Sequence, residues 1–229
     1  HIDTHELGGA NALSGLSIRQ LPSERGTFTA QQVASVLAEP ETSLPAHLAQ
    51  PVTLVACENT HNGAGGTVWP LPGLQAVAAA AAAGGAASHM DGARLWNAVA
   101  ATGISAAEYA APFDSISVCF SKGLGAPIGS ALARTKRFTD RARRFKQMFG
   151  GGFRLAGIVA AAAIYALQHN RERLVEDHQN AIRLAAGLSE LPGIELDVSV
   201  VDTNIVYFDV TTMAAGAFCE ALASRGVAM

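Results

Sequence analysis

Three short apolar runs, each ending in a cluster of polar residues, constrain this chain more than any other feature. Val52–Cys57 (VTLVAC), Ala86–Met90 and Ser115–Phe120 are compact and bounded by turn signals, as fully buried strands are. Ile128–Ala133 is a fourth candidate. Helical patterns separate them, at roughly Thr29–Leu37, Leu74–Ala83, Arg94–Ala101 and Ala106–Ala110. Strand–helix alternation of this kind predicts an α/β fold, with helices on both faces of a sheet built from right-handed crossovers. After Gly150-Gly151-Gly152 the pattern becomes more helical, over Phe153–His169 and Arg171–Leu188. Pro192-Gly193 then makes a turn, Ile205–Val210 alternates like a strand, and a last helix is expected over Ala214–Arg225. This predicts a major domain over residues 1–187 and the start of a smaller α+β unit over 188–229, with the boundary near Gly187–Pro192.

Composition removes several function classes. The net charge is −3, so the chain lacks the basic balance of a nucleic-acid or anionic-membrane binder. Its one basic cluster, from Arg134 to Lys146, reads as the solvated face of a helix. The most apolar stretch, Val77–Ala87, is mainly alanine and glycine, and far short of the roughly 20 strongly apolar residues that a membrane span needs. No secretory signal is read at the start. Cys57, Cys119 and Cys219 lie far apart, two of them in apolar runs, which suits reduced thiols in a cytoplasmic protein. The chain opens at His1 without methionine and stops at Gly226–Met229 with no helix to close the fold, as a piece of a longer chain does.

Ligands of open α/β sheets sit at the carboxyl ends of the strands. Glu58-Asn59-Thr60-His61-Asn62, Asp91-Gly92-Ala93-Arg94 and Ser121-Lys122-Gly123 are expected at three such ends. A lysine held among apolar strand residues tends to lose its charge, and its amine becomes a nucleophile toward carbonyls. Lys122 is the candidate for that role, although a lysine that snorkels from a strand end would look the same. Asp91 offers a carboxylate of the kind that holds a pyridine nitrogen protonated, or could instead cap the helix starting near Arg94. Arg94 could grip a carboxylate in bidentate fashion, or pair with Asp91. His61, followed by Gly63, Gly65 and Gly66, suggests an accessible loop histidine able to exchange a proton with substrate, or an ordinary one. His89, His169 and His178 read as structural, and no spacing makes a metal site.

Read together, these segments resemble the low-specificity L-threonine aldolases among the aspartate-aminotransferase-like (fold type I) pyridoxal-phosphate enzymes. The similar stretches are Glu58–Leu71 (ENTHN, GG and a later PL), His89–Ala98 (HMDGARLWNA), Ser117–Ser130 (SVCFSKGLGAPIGS), Gly150–Gly157 (GGGFRLAG) and Glu176–Ala181 (EDHQNA). The resemblance implies pyridoxal 5'-phosphate as cofactor, bonded by Lys122 and bound at its ring nitrogen by Asp91. It further implies that Arg94 holds the substrate carboxylate or the cofactor's phenolic oxygen, that His61 contacts the substrate β-hydroxyl and that His1 stacks on the ring. Arg154 falls in a subunit-contact segment where Leu155 replaces the family's usual glutamine. The implied reaction cleaves L-threonine or L-allo-threonine to glycine and acetaldehyde in a cytoplasmic homo-oligomer, a dimer or tetramer. A β-eliminating amino-acid lyase sharing Lys122 and Asp91, or a non-catalytic fragment acting through subunit association, are the competing readings. Nothing in the chain matches the family's Ser-Gly-Thr-type phosphate loop, its amino-terminal serine or its carboxy-terminal arginine, so weak cofactor binding by this chain alone is expected.

Overall fold

The computed structural model describes residues 1–38, 48 and 50–228. In chain order the elements are α1 (Gly9–Ser14), α2 (Ala30–Ala38), β1 (Leu54–Glu58), α3 (Leu71–Ala83), β2 (Ala87–Gly92), α4 (Leu95–Thr102), α5 (Ala106–Ala110) and β3 (Ser115–Cys119). There follow β4 (Ser130–Ala133), α6 (Lys136–Met148), α7 (Gly157–His169), α8 (Leu174–Ser189), β5 (Ile194–Glu195), β6 (Asp209–Val210) and α9 (Ala215–Ala223). β1, β2, β3 and β4 form one sheet in that spatial order.

The connections dictate the strand directions. Helix α3 carries the chain from β1 to β2, and α4 with α5 from β2 to β3, so both pairs are parallel. Only residues 120–129 join β3 to β4, with no crossover helix, and that pair is antiparallel. The register sets Glu58 opposite Asp91 and Asp91 opposite Ser117. Side chains alternate between the faces of a strand, and residues paired across strands share a face. Val55, Cys57, Met90 and Ile116 therefore point the same way, into a core completed by Val33 of α2, Leu74, Val77 and Ala81 of α3, Leu95 and Ala98 of α4, and Tyr109 of α5. The opposite face carries Ala56 and Glu58, His89 and Asp91, then Ser115, Ser117 and Cys119. None of these joins a described apolar cluster, although all are half-buried or buried.

A second cluster places Leu124 and Ala126, just beyond Lys122, against Ala163 and Ala166 of α7 and Leu174 of α8, with Trp96 and Phe120 at its margin. The helix starts follow local chemistry. Thr29 and Gln32 cap each other ahead of α2, and Ser105 and Glu108 do so at α5. The basic residues sit on α6, which buries no residue, in line with a solvated face.

Several boundaries differ from expectation, among them the start of α3, at Leu71 rather than Leu74, and that of β1, at Leu54 rather than Val52. The helix expected from Phe153 starts at Gly157, because Leu155 takes a left-handed φ of 55° that no helix continues. The next starts at Leu174 rather than Arg171. Of the strand expected over Ile205–Val210, only Asp209–Val210 pairs, with Ile194–Glu195. The preceding residues bind a loop instead: Thr203 Oγ1 donates to Gly66 O (2.8 Å) and Tyr207 Oη to Asn62 O (3.2 Å).

One buried histidine, His178, and one half-buried, His89, make stability depend on pH. Burial pushes the His178 and His89 imidazoles below their usual range, opposed in part by Asp177 and Asp91 respectively. A depressed histidine takes its proton more readily in the unfolded chain, so its share of stability is whole above the unfolded pKa of about 6.5 and is lost as pH falls below it. His178 Nε2 accepts from Asn97 Nδ2 (3.1 Å), which a glutamine oxygen can mimic. The urea midpoint is expected to fall between about pH 6.5 and 5, and to fall less in His178→Gln; equal slopes would remove His178 as a cause. Leu74, fully buried in the core, should cost about 2–5 kcal/mol on truncation to alanine, read from the same denaturation curves.

Candidate active site

Parallel pairing brings the carboxyl ends of β1, β2 and β3 to one edge, and the alternation rule then sorts the residues there by face. Glu58 closes β1, and Asp91, opposite it, stands on the same face of β2. Cys119 closes β3 two residues after Ser117, which pairs with Asp91, so Cys119 faces the same way. Lys122 Nζ donates to Cys119 Sγ at 3.2 Å. The Lys122 amine and the Asp91 carboxylate are thereby on the same face of the sheet.

Lys122 departs from expectation in one respect. It lies in the turn after β3 and is exposed, so this chain does not supply the apolar burial that was to neutralise it. The turn itself is anchored. Gly125 N–H donates to Lys122 O (2.8 Å), Ala126 N–H to Phe120 O (3.1 Å), and the Leu124 side chain is 2% exposed. Behind it, Trp96 Nε1 donates to Cys119 O (3.1 Å).

Asp91 does not cap α4 and does not pair with Arg94. Its Oδ1 accepts from Ala93 N–H (2.9 Å), a turn of its own, and Oδ2 makes no hydrogen bond among the described residues. Arg94 occupies the N-cap position of α4, half-buried, with no ion pair among the described residues and no contact that ties it to Asp91 or Lys122.

The histidines gather around a residue that the sequence reading placed in a polar cluster without giving it a role. Glu58 Oε2 is 3.0 Å from His1 Nδ1 and 3.9 Å from His61 Nε2, while Oε1 accepts from Asn62 N–H (3.0 Å). Its position as the last residue of a strand, three before His61, is the signal that could have singled it out. The His61 loop is closed by two backbone bonds, His61 N–H to Thr67 O and Gly66 N–H to His61 O (both 2.9 Å). Gly66 has φ +74°, and a Cβ there would collide with Thr203 Oγ1. Gly26 likewise leaves room for the His61 ring, which a Cβ would strike. Three polar atoms of this stretch are buried without a partner among the described residues: Asn59 Nδ2, Thr60 Oγ1 and His61 Nδ1. Thus Glu58, His1, His61 and Asp91 are brought together, Lys122 reaches their face through Cys119, and Arg94, at the same end of β2, makes no hydrogen bond or ion pair with any of them. Arg154, with Leu155, lies exposed in a turn ahead of α7.

The sequence profile of the family described as beta-eliminating lyase matches residues 1–211. The low specificity L-threonine aldolase of Escherichia coli strain K12 is 38% identical over 223 residues, which cover 97% of this chain and 64% of that protein. The solved threonine aldolase of Leishmania major superposes with a TM-score of 0.70 at 26% identity, over 86% of this chain and 56% of that one. A pyridoxal-phosphate-dependent aminotransferase from Streptococcus suis, 18% identical, shares the fold with a TM-score of 0.57 over 77% of this chain and 48% of its own. The chain thus spans somewhat under two thirds of the length of the aldolase relatives it matches. It belongs to the beta-eliminating lyase family and has the fold type I architecture of pyridoxal-phosphate enzymes.

Proposed function

We propose that the protein is an aldolase that cleaves L-threonine or L-allo-threonine to glycine and acetaldehyde with the help of pyridoxal phosphate. The observation that carries this reading is the placement of the Lys122 amine and the Asp91 carboxylate on one face at the carboxyl edge of the sheet. The residues fit the cofactor: an accessible amine for its aldehyde, and a carboxylate with one oxygen unengaged for its ring nitrogen. When bound, the cofactor supplies a protonated ring that takes up the electron pair released as the Cα–Cβ bond of the substrate breaks.

The protein's own groups do the rest. Lys122 would hold the cofactor through its aldehyde, at the position where a substrate amine would enter. Asp91 keeps the ring nitrogen protonated, a charge pair strengthened where water is excluded. His61 accepts the β-hydroxyl proton or orients a water that does, and His1 covers the ring. Arg94 binds the substrate carboxylate, a task for which its guanidinium is free of ion pairs among the described residues. Cys57, Cys119 and Cys219 are free thiols, which supports a reducing, cytoplasmic setting. Exposed Leu155, Ile158, Ile164 and Tyr165 on and before α7 support association with further copies, as a dimer or tetramer.

Incubation with pyridoxal phosphate, borohydride reduction and peptide mass analysis should find the pyridoxyl group on Lys122. In Lys122→Ala the trapped label should drop to background; label of parental yield on another residue would end the assignment. Asp91→Asn should keep the label on Lys122 while lowering kcat about 100-fold, the scale of losing one preorganised polar partner at a reacting centre. Product analysis decides the reaction, since pyruvate and ammonia in place of glycine and acetaldehyde would make the protein a β-eliminating lyase, as its family's description also allows.

A further inference from the structure

We propose that Glu58 is a positioning residue whose carboxylate sets the tautomer of His1 and draws His1 and His61 into one proton-handling set. The inference deepens the aldolase reading, and rests on it for the chemistry that the two imidazoles perform.

Glu58 and Asp91 are paired across β1 and β2, so two carboxylates leave adjacent strands on one face, roughly 5 Å apart at the backbone. Their surroundings separate their roles. The Glu58 side chain is only 10% exposed, and an enclosed carboxylate needs donors. It has them: Asn62 N–H on Oε1, His1 Nδ1 on Oε2, and His61 Nε2 at 3.9 Å from that same oxygen. Asp91 has one backbone donor and a second oxygen unengaged among the described residues. Asp91 is therefore the carboxylate left for a ligand, and Glu58 the one committed to organising the protein.

An ionised carboxylate only accepts hydrogen bonds, so a ring nitrogen 3.0 Å from it must carry the proton. This fixes neutral His1 as the Nδ1–H tautomer and leaves Nε2 as its basic nitrogen, turned away from Glu58. His61 presents Nε2 to the same oxygen, and the Gly26 backbone behind its ring holds that orientation. A proton taken up by either ring creates a positive charge beside the Glu58 carboxylate, which stabilises it. The imidazolium and the Glu58 carboxylate then form a neutral pair beside Asp91, where the carboxylate with a neutral ring carried one negative charge.

The test is the ring tautomer of His1 in the cofactor-free protein, read by long-range proton–nitrogen NMR at about pH 8.5, where an ordinary imidazole is neutral. The signal is assigned by its loss in His1→Gln. The parent should show Nδ1–H. In Glu58→Gln, which keeps the side-chain shape, the amide oxygen stays on Asn62 N–H and the amide NH₂ faces His1, so Nδ1 must become the acceptor and the signal should switch to Nε2–H. Glu58→Ala, checked for folding by circular dichroism, should switch it as well. In turnover, Glu58→Gln should lower kcat about 10–100-fold with KM changed much less, a part of what a positioned acid–base group supplies. An Nδ1–H signal that persists in Glu58→Gln, or an unchanged kcat, overturns the proposal. The NMR arm uses neither cofactor nor substrate. A tautomer switch in a protein that makes no glycine from threonine would sink the aldolase reading and leave the assignment of Glu58 to His1 standing.

Discussion

The site depends on one constraint: β1, β2 and β3 run parallel and in register. Parallel strands need long crossovers, and these put every strand's carboxyl end on the same edge of the sheet. Because residues paired across strands share a face, the register also decides which side chains meet. Glu58, Asp91 and Ser117 are neighbours for that reason alone, though they are separated by 33 and 26 residues in the chain. A slip of one residue in β2 would send Asp91 into the core and Met90 into the site, exchanging a buried thioether for a buried charge. The apolar half of the sheet, packed on α2 through α5, thereby holds the polar half in place.

The His61 loop shows a second level of positioning. It is held by hydrogen bonds from distant parts of the chain. Asp202 accepts from Val68 N–H and from Arg25, whose guanidinium also reaches Val200 O. Thr203 and Tyr207 hold the carbonyls of Gly66 and Asn62. The stretch from Val200 to Tyr207 thus braces the His61 loop, which is the physical reason it does not extend β6. Its hydrogen-bonding groups point at a partner that a ladder would have required them to leave.

Much of the fold was legible because it is local. The apolar runs, the glycines at Gly150–Gly152 and the turn at Pro192-Gly193 each act within a few residues, and strand and helix positions follow from them to within a turn. The start of α7 was misjudged since Leu155 adopts a left-handed conformation that its side chain disfavours, and no residue pattern announces it. The strand over Ile205–Val210 was overextended because alternation records a half-buried segment without saying what it is buried against.

For the site the division is sharper. Residue types and their spacing pointed to Lys122, Asp91, Arg94 and His61, and to a carbonyl-binding lysine paired with a carboxylate, while His1 came only from the family resemblance. They could not say that Lys122 stands exposed in a turn, reaching its face through Cys119, nor that Arg94 takes the N-cap position of α4 without pairing with Asp91. They also passed over Glu58, whose importance lies in contacts to residues 57 and 3 positions away. Chemistry is carried by the kind of side chain, which any single sequence displays. Which acid serves the ligand and which serves the protein depends on the donors that folding brings within hydrogen-bond reach of each, and only the assembled sheet and its loops decide that.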